Sequence, residues 1–149
     1  MLYAALKTLH LLAIVVWIGG MVFAHFFLRP AVAALEPPQR LRLMHDVLGR
    51  FFAAVLAVVV LVLGSGLALI GLAHAAGATM PWTWNAMTAL GLLMMAIFGH
   101  IRFALYRRLR QAVAAGDWPR GGAAMAGIRR WVGVNLAIGV AIVVIVGMG

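Results

Sequence analysis

The sequence contains no cysteine and very few acidic residues, and both absences restrict its chemistry. Without cysteine the chain has no disulfide, no thiolate metal ligand and no thiol redox centre. Its three carboxylates, Glu36, Asp46 and Asp117, all fall outside the long apolar runs. No serine is accompanied by a plausible base and orienting group, so the sequence offers neither hydrolytic catalysis nor an acidic proton relay across a membrane.

Charged residues are also scarce, at 10% of the 149 residues, whereas 66% are hydrophobic and the mean hydropathy is +1.08. A soluble domain needs more polar surface than this. Four apolar runs, at about residues 4–28, 51–76, 84–106 and 131–148, are each long enough for a helix to cross a hydrocarbon layer of about 30 Å. The sequence therefore predicts an all-α fold with a single domain over residues 1–149, a four-helix transmembrane bundle embedded in the lipid bilayer.

The basic residues are distributed asymmetrically between the connections of this predicted bundle. The second connection carries no formal charge, whereas all the lysines and arginines except Lys7 lie in or beside the first and third connections. The positive-inside rule places those two connections in the cytoplasm and both termini in the periplasm, in a bacterial inner membrane. The net charge of +9 is therefore a topology signal and does not indicate nucleic-acid binding. We expect the first run to remain a span, because it is too long for a signal peptide and Arg29 follows it.

Histidine is the residue type that this composition does not explain. His10 and His25 lie fifteen residues apart in the first run, which is about 22 Å of helix axis and about 60° of net rotation, so they cannot bind the same ion. Depth in the bundle sorts the five histidines into an inner group of His25, His45 and His100 and an outer group of His10 and His74.

Imidazoles on facing helices suggest a transition-metal or haem site, because ionisable groups inside a membrane are costly and tend to be functional. Imidazole can ligate haem iron, or it can hold copper together with a methionine thioether. The candidate metal ligands are His10, His25, His45, His74, His100 and Met21. The candidate haem-contacting residues are His10, His25, His100 and Trp17. Met87, Met94 and Met95 are further soft donors, although adaptable packing is the default explanation for methionine in a helix bundle.

Small residues interrupt the spans, and one asparagine lies a little way into the fourth of them. The run Gly64–Ser65–Gly66 is typical of close helix contacts or of space for a ligand. Asn135 lies at a depth comparable with that of the inner histidines. Each histidine also has a purely structural interpretation, namely a hydrogen bond to a hydroxyl or a carbonyl across a helix interface.

Two stretches carry a resemblance to a known family. The first helix, LHLLAIVVWIGGMVFAHFFLRPA, and the third helix with its loop, WTWNAMTALGLLMMAIFGHIRFALYRRLRQAVAAGDWP, resemble the small four-helix form of the copper resistance protein D (CopD) family. His10, Trp17, Gly19 and Gly20 also resemble the first helix of HemJ-type protoporphyrinogen oxidases. Between Pro81 and Ile101 only His100 is basic, which departs from the oxidase pattern more than from the CopD pattern.

The CopD resemblance implies a membrane protein of copper uptake or tolerance, with His10, His25 and His100 at the family's histidine positions. We therefore expect either copper or haem b as the cofactor. A periplasmic metal carrier or redox protein is the expected partner, and the sequence is also compatible with a homo-oligomer. The alternatives are a haem b protein of electron transfer or HemJ-like oxidation, and an accessory membrane subunit without a cofactor.

Overall fold

The computed structural model describes residues 1–149 and consists of four long helices joined by short connections. Span 1 (Leu2–Val32), span 2 (Pro37–Ala75), span 3 (Trp82–Ala115) and span 4 (Trp118–Met148) are each long and apolar enough to cross a membrane. The all-α fold with four membrane-spanning helices predicted from the sequence is therefore confirmed.

Local sequence signals explain where the helices begin and end at the two charged connections. Glu36 has an extended ψ of 147° and Pro37 opens span 2, where its missing N–H needs no helical partner. Span 3 ends at Gly116, whose φ of 67° is left-handed and favours glycine. Asp117 then caps span 4, because its carboxylate accepts a hydrogen bond from the Arg120 amide at 3.2 Å.

Two of the spans are not continuous α-helices. Span 1 comprises α1 (Leu2–Val22), a π-helical segment (Phe23–Leu28) and α2 (Arg29–Val32). Span 3 comprises α4 (Trp82–His100), a π-helical segment (Ile101–Leu105) and α5 (Tyr106–Ala115). Spans 2 and 4 are single helices, α3 and α6. A π-helical turn is wider than an α-helical turn, so it changes the direction in which the following side chains point.

The helices extend well beyond the lengths that a membrane requires. Span 2 has 39 residues, which is about 58 Å of helix against a hydrocarbon layer of about 30 Å. The excess lies at the end of the bundle that contains the first and third connections, which we call the basic end. There Gly121 allows close packing, because a Cβ at this position would lie 3.1 Å from Leu41 and 3.6 Å from Ala112.

One hydrophobic core runs through the whole bundle. Span 1 packs chiefly against span 2 and span 3 chiefly against span 4, while span 4 also contacts spans 1 and 2. Buried residues extend from Met94 and Val62 in the lipid-embedded part to Leu109 and Ile128 near the basic end. The packing therefore fixes the mutual positions of the four spans from the middle of the bundle to the basic end.

Candidate functional site

A cavity of about 340 Å³ lies between the four spans, in the half of the bundle remote from the basic end. Fourteen of its nineteen lining residues are hydrophobic. The hydrophobic lining residues include Trp17 and three methionines, Met87, Met94 and Met95, and His10 is the only imidazole in the lining. The cavity, which we call the chamber, is partly open to the outside of the bundle, because lining residues such as Leu67 and Leu92 are exposed.

Helical spacing explains why these residues face one chamber. His10, Ile14 and Trp17 lie four and three residues apart on span 1 and therefore share one face. Met87, Met94 and Met95 follow the same rule on span 3, at positions i, i+7 and i+8. Gly91 lies between them, and a Cβ at this position would meet nothing within 4 Å, so glycine here leaves the chamber open.

The imidazole of His10 is held by a hydroxyl on span 2. Nδ1 of His10 and Oγ of Ser65 are 2.9 Å apart, and the Ser65 hydroxyl donates its proton to the backbone carbonyl of Leu61. A serine hydroxyl has a single proton, so when Ser65 donates that proton to the Leu61 carbonyl, its Oγ accepts from Nδ1–H of His10. In this arrangement the lone pair of His10 lies on Nε2.

Nε2 of His10 is available to a ligand. It makes no hydrogen bond to the protein, and it is not among the buried polar atoms that lack a partner, so protein atoms do not enclose it. Gly66 permits this placement, since a Cβ there would lie 3.3 Å from Cε1 of the ring. A histidine whose other nitrogen is fixed by a hydrogen bond is the arrangement that metal-ligating imidazoles adopt.

Asn135 fixes the methionine-bearing helix against span 4. It is 1% exposed, and its Nδ2 donates to the carbonyl oxygen of Met94 at 3.3 Å. Its Oδ1 is buried without a hydrogen-bond partner. Met94 is 3% exposed and lies against span 4, where its Cε would be 3.2 Å from a Cβ at Gly139. Asn135 thus positions Met94 at the inner wall of the chamber.

A column of aromatic rings in edge-to-face contact separates the chamber from the basic end. Trp17 meets Phe98 edge-on at 6.1 Å, Phe98 meets Phe52 at 5.9 Å, and Phe52 meets Tyr106 at 5.5 Å between ring centroids. These four side chains, which we call the aromatic column, are each at most 5% exposed. Edge-to-face contacts of this kind stabilise a packed core. The column therefore closes the chamber on the side of the basic end.

The structure does not group the predicted outer histidines. His74 is exposed, near the end of span 2. It is nine residues beyond Ser65, the partner of His10, which corresponds to about 13 Å of helix axis. Met21, a candidate metal ligand from the sequence, is 2% exposed in the core and does not line the chamber.

The predicted inner histidines are not brought together as a three-residue set either. His45 bonds Asp46 at 3.1 Å and stacks on Tyr106. His25 lies beside span 4, where a Cβ at Gly133 would be 3.5 Å from its Cε1, and His100 is exposed with its ring 5.6 Å from that of Trp131. Positions 131 and 133 point about 200° apart around a helix, so these two imidazoles contact different sides of span 4.

No group of three or more His, Asp or Glu side chains in the structure could hold a metal ion. The chamber differs from such a group because only one of its donors is an imidazole and the others are thioethers. Sequence reasoning did not identify Ser65 and Asn135 as functional residues. Two sequence features could have identified them: the hydroxyl of Ser65 lies between two glycines, and Asn135 is a lone amide in an otherwise apolar span.

Comparison with known protein families identifies the family of this chain. The family model of copper resistance protein D matches residues 45–148, which is more than two thirds of the chain. The chain belongs to the copper resistance protein D family. The match includes the methionines and Asn135 but begins after span 1, so His10 and Trp17 lie outside it. Neither the curated proteins nor the solved structures include a match to this copper resistance protein D family member.

Proposed function

We propose that this protein binds Cu(I) inside the membrane, in the chamber, as a step in copper uptake or tolerance. One observation carries the proposal: the hydrogen bond to Ser65 leaves the lone pair of His10 on an accessible Nε2, in a chamber that Met87, Met94 and Met95 also line. Membership of the copper resistance protein D family supports copper as the ion.

The donor types suit a monovalent soft cation. Thioether and imidazole are neutral ligands, and soft thioethers select Cu(I) over hard cations such as Mg²⁺ or Ca²⁺. The chamber has no carboxylate in its lining, so it lacks the charge that a divalent ion would need in an apolar environment. In this scheme His10 supplies one nitrogen, and the methionines supply sulfur from a single face of span 3.

The charge distribution suggests the direction from which copper reaches the chamber. All three acidic residues and all the arginines lie towards the basic end, which the positive-inside rule assigns to the cytoplasm. On this assignment the chamber lies in the periplasmic half of the membrane, within reach of a periplasmic metal carrier. The aromatic column then blocks further passage, so movement of an ion to the cytoplasmic side requires Trp17 or Phe98 to change position.

Filling the chamber tests the proposal without disturbing the ligands themselves. Gly91→Leu should abolish Cu(I) binding, because the new side chain enters space that is open in the wild-type protein. Gly99→Leu is the matched control on the same span, since a Cβ there also meets nothing within 4 Å but Gly99 does not line the chamber. The measurement is competitive titration of purified protein with a coloured Cu(I) chelator.

The expected result is one Cu(I) per chain for the wild type and for Gly99→Leu, and none for Gly91→Leu. Equal binding by all three proteins would contradict the chamber as the site. An absorbance spectrum of the same preparations tests the haem b alternative: a Soret band that shifts on reduction and disappears in Gly91→Leu would replace copper by haem. If neither copper nor haem binds after both have been supplied, the remaining interpretation is that the protein is an accessory membrane subunit without a cofactor.

A further inference from the structure

A second, polar pocket of about 500 Å³ lies between spans 1 and 4 at the basic end. We call it the basic pocket, and it is lined by His25, Arg29, Ala126, Gly127, Arg129 and Arg130. Ala126 and Gly127 are the only lining residues without a long or polar side chain, and they leave room between the cationic groups. Nothing in the chamber or in its proposed copper chemistry uses these residues.

The positive charge of the basic pocket has no compensating carboxylate. No lysine or arginine side chain in the structure is paired with a carboxylate, and the one contact of a carboxylate with a basic side chain joins Asp46 and His45. Asp117 accepts a hydrogen bond at the start of span 4, and no acidic residue lines the basic pocket. Arg29 and Arg129 line the same pocket from spans 1 and 4, so their like charges repel each other across it. An anion bound between the two guanidinium groups would offset this repulsion, and no carboxylate of the chain lines the pocket to do so.

The surface around the basic pocket indicates which class of anion it is suited to bind. The ring of Phe26 is 60% exposed and lies 5.0 Å from that of His25, so an apolar, lipid-accessible surface adjoins the pocket. Arg130 lies over the ring of Trp131 at 5.9 Å, and tryptophan favours the boundary between hydrocarbon and water. The pocket therefore combines guanidinium groups with a neighbouring surface suited to acyl chains.

We propose that the basic pocket binds the phosphate of an anionic lipid headgroup. Guanidinium groups match phosphate oxygens with paired hydrogen bonds, and basic pockets between transmembrane helices hold lipid headgroups in this way. The shared chemistry is phosphate, which a lipid or free phosphate could supply. The exposed ring of Phe26 favours the lipid, because free phosphate would gain nothing from an apolar neighbour.

The test compares two triple variants with the same change in net charge. Arg29→Gln, Arg129→Gln and Arg130→Gln together remove the guanidiniums of the basic pocket. The control combines Arg107→Gln, Arg108→Gln and Arg110→Gln, which are exposed on α5 at the same end but do not line the pocket. Binding of phosphatidylglycerol, phosphatidylcholine and inorganic phosphate to the full-length protein in neutral detergent is measured by native mass spectrometry and by the lipid-induced rise in Tm.

We expect phosphatidylglycerol to bind the wild type and the control at least about tenfold more tightly than it binds the pocket variant, with phosphatidylcholine weak on all three. Equal loss in both triple variants would overturn the proposal, because attraction by overall charge would then explain binding. Saturation by inorganic phosphate with no preference for the lipid would overturn the lipid assignment. If the pocket variant fails to insert, the single changes Arg129→Gln and Arg107→Gln provide the same comparison, with the same outcomes expected.

Discussion

His10→Ala is expected to lower the affinity for Cu(I) by at least about 100-fold and to leave the bundle folded. Nε2 of His10 is the only nitrogen ligand that lines the chamber, so its removal leaves only methionine thioethers to bind copper. The fold should tolerate the change, because Ser65 keeps its hydrogen bond to the Leu61 carbonyl and only one half-buried side chain is lost. The expected loss of stability is about 1 kcal/mol, the usual contribution of one hydrogen bond.

Two further variants separate ligation by His10 from other effects of histidine removal. Ser65→Ala keeps the ligand but removes the group that fixes its tautomer, and such outer partners usually contribute about 10- to 100-fold in metal affinity. His74→Ala should bind copper as the wild type does, because His74 is exposed and remote from the chamber. Chelator competition measures all three affinities. Wild-type binding by His10→Ala, or a loss in His74→Ala equal to that in His10→Ala, would contradict this assignment.

Trp17→Ala is expected to destabilise the bundle by about 3 kcal/mol, the lower end of the range for truncating a buried tryptophan. Trp17 is 2% exposed and meets Phe98 at the top of the aromatic column. Lipid is as apolar as the side chain, so the loss arises from packing and not from transfer out of water. For a chain of this size the change corresponds to a fall in Tm of roughly 6–12 °C.

Thermal unfolding in mild detergent measures this effect, with two variants as references. Trp82→Ala removes the same side chain at a position that is 67% exposed, and should change stability by less than about 0.5 kcal/mol. Trp17→Phe should retain most of the stability, because a ring still meets Phe98. If Trp17→Ala instead unfolded at the wild-type temperature but no longer bound its ligand, Trp17 would be a ligand contact, as the sequence first suggested, and the packing assignment would be wrong.

Hydropathy was sufficient to predict the four spans, because a backbone in lipid has few alternatives to a helix. It did not predict how far the helices continue. The segment from Pro37 to Arg50 and the α5 helix carry many charges, and their apolar residues are spaced for packing against span 4 and not for lipid. Local composition therefore indicated the membrane boundary, Pro37 and Gly116 set the helix ends, and the buried contacts of Leu41 and Leu109 stabilise the extensions beyond the membrane.

Sequence reasoning grouped His10 with His74 on span 2 from their depth in the bundle alone. Rise per residue gives depth along a helix but not which side chain of the neighbouring helix stands opposite, and the structure places Ser65 there while His74 lies farther along. The face shared by Met87, Met94 and Met95 follows from spacing alone, because α4 is regular over these residues.

The directions of His25 and His100 could not be predicted from 100° per residue. His25 lies inside the first π-helical segment, and His100 directly precedes the second. Each segment widens the turn and shifts the direction of the residues around it. A uniform α-helix was therefore the wrong geometry at these two positions, and the structure sets their imidazoles against different sides of span 4.

The central claim is that one imidazole and methionine thioethers of the chamber hold Cu(I). X-ray absorption spectroscopy at the copper edge of the Cu(I)-loaded protein tests it most directly. We predict a first shell of one nitrogen and at least one sulfur scatterer, with the nitrogen lost in His10→Ala and the sulfur lost when Met87, Met94 and Met95 are all changed to Leu. A shell of nitrogen and oxygen without sulfur in the wild-type protein would contradict the claim.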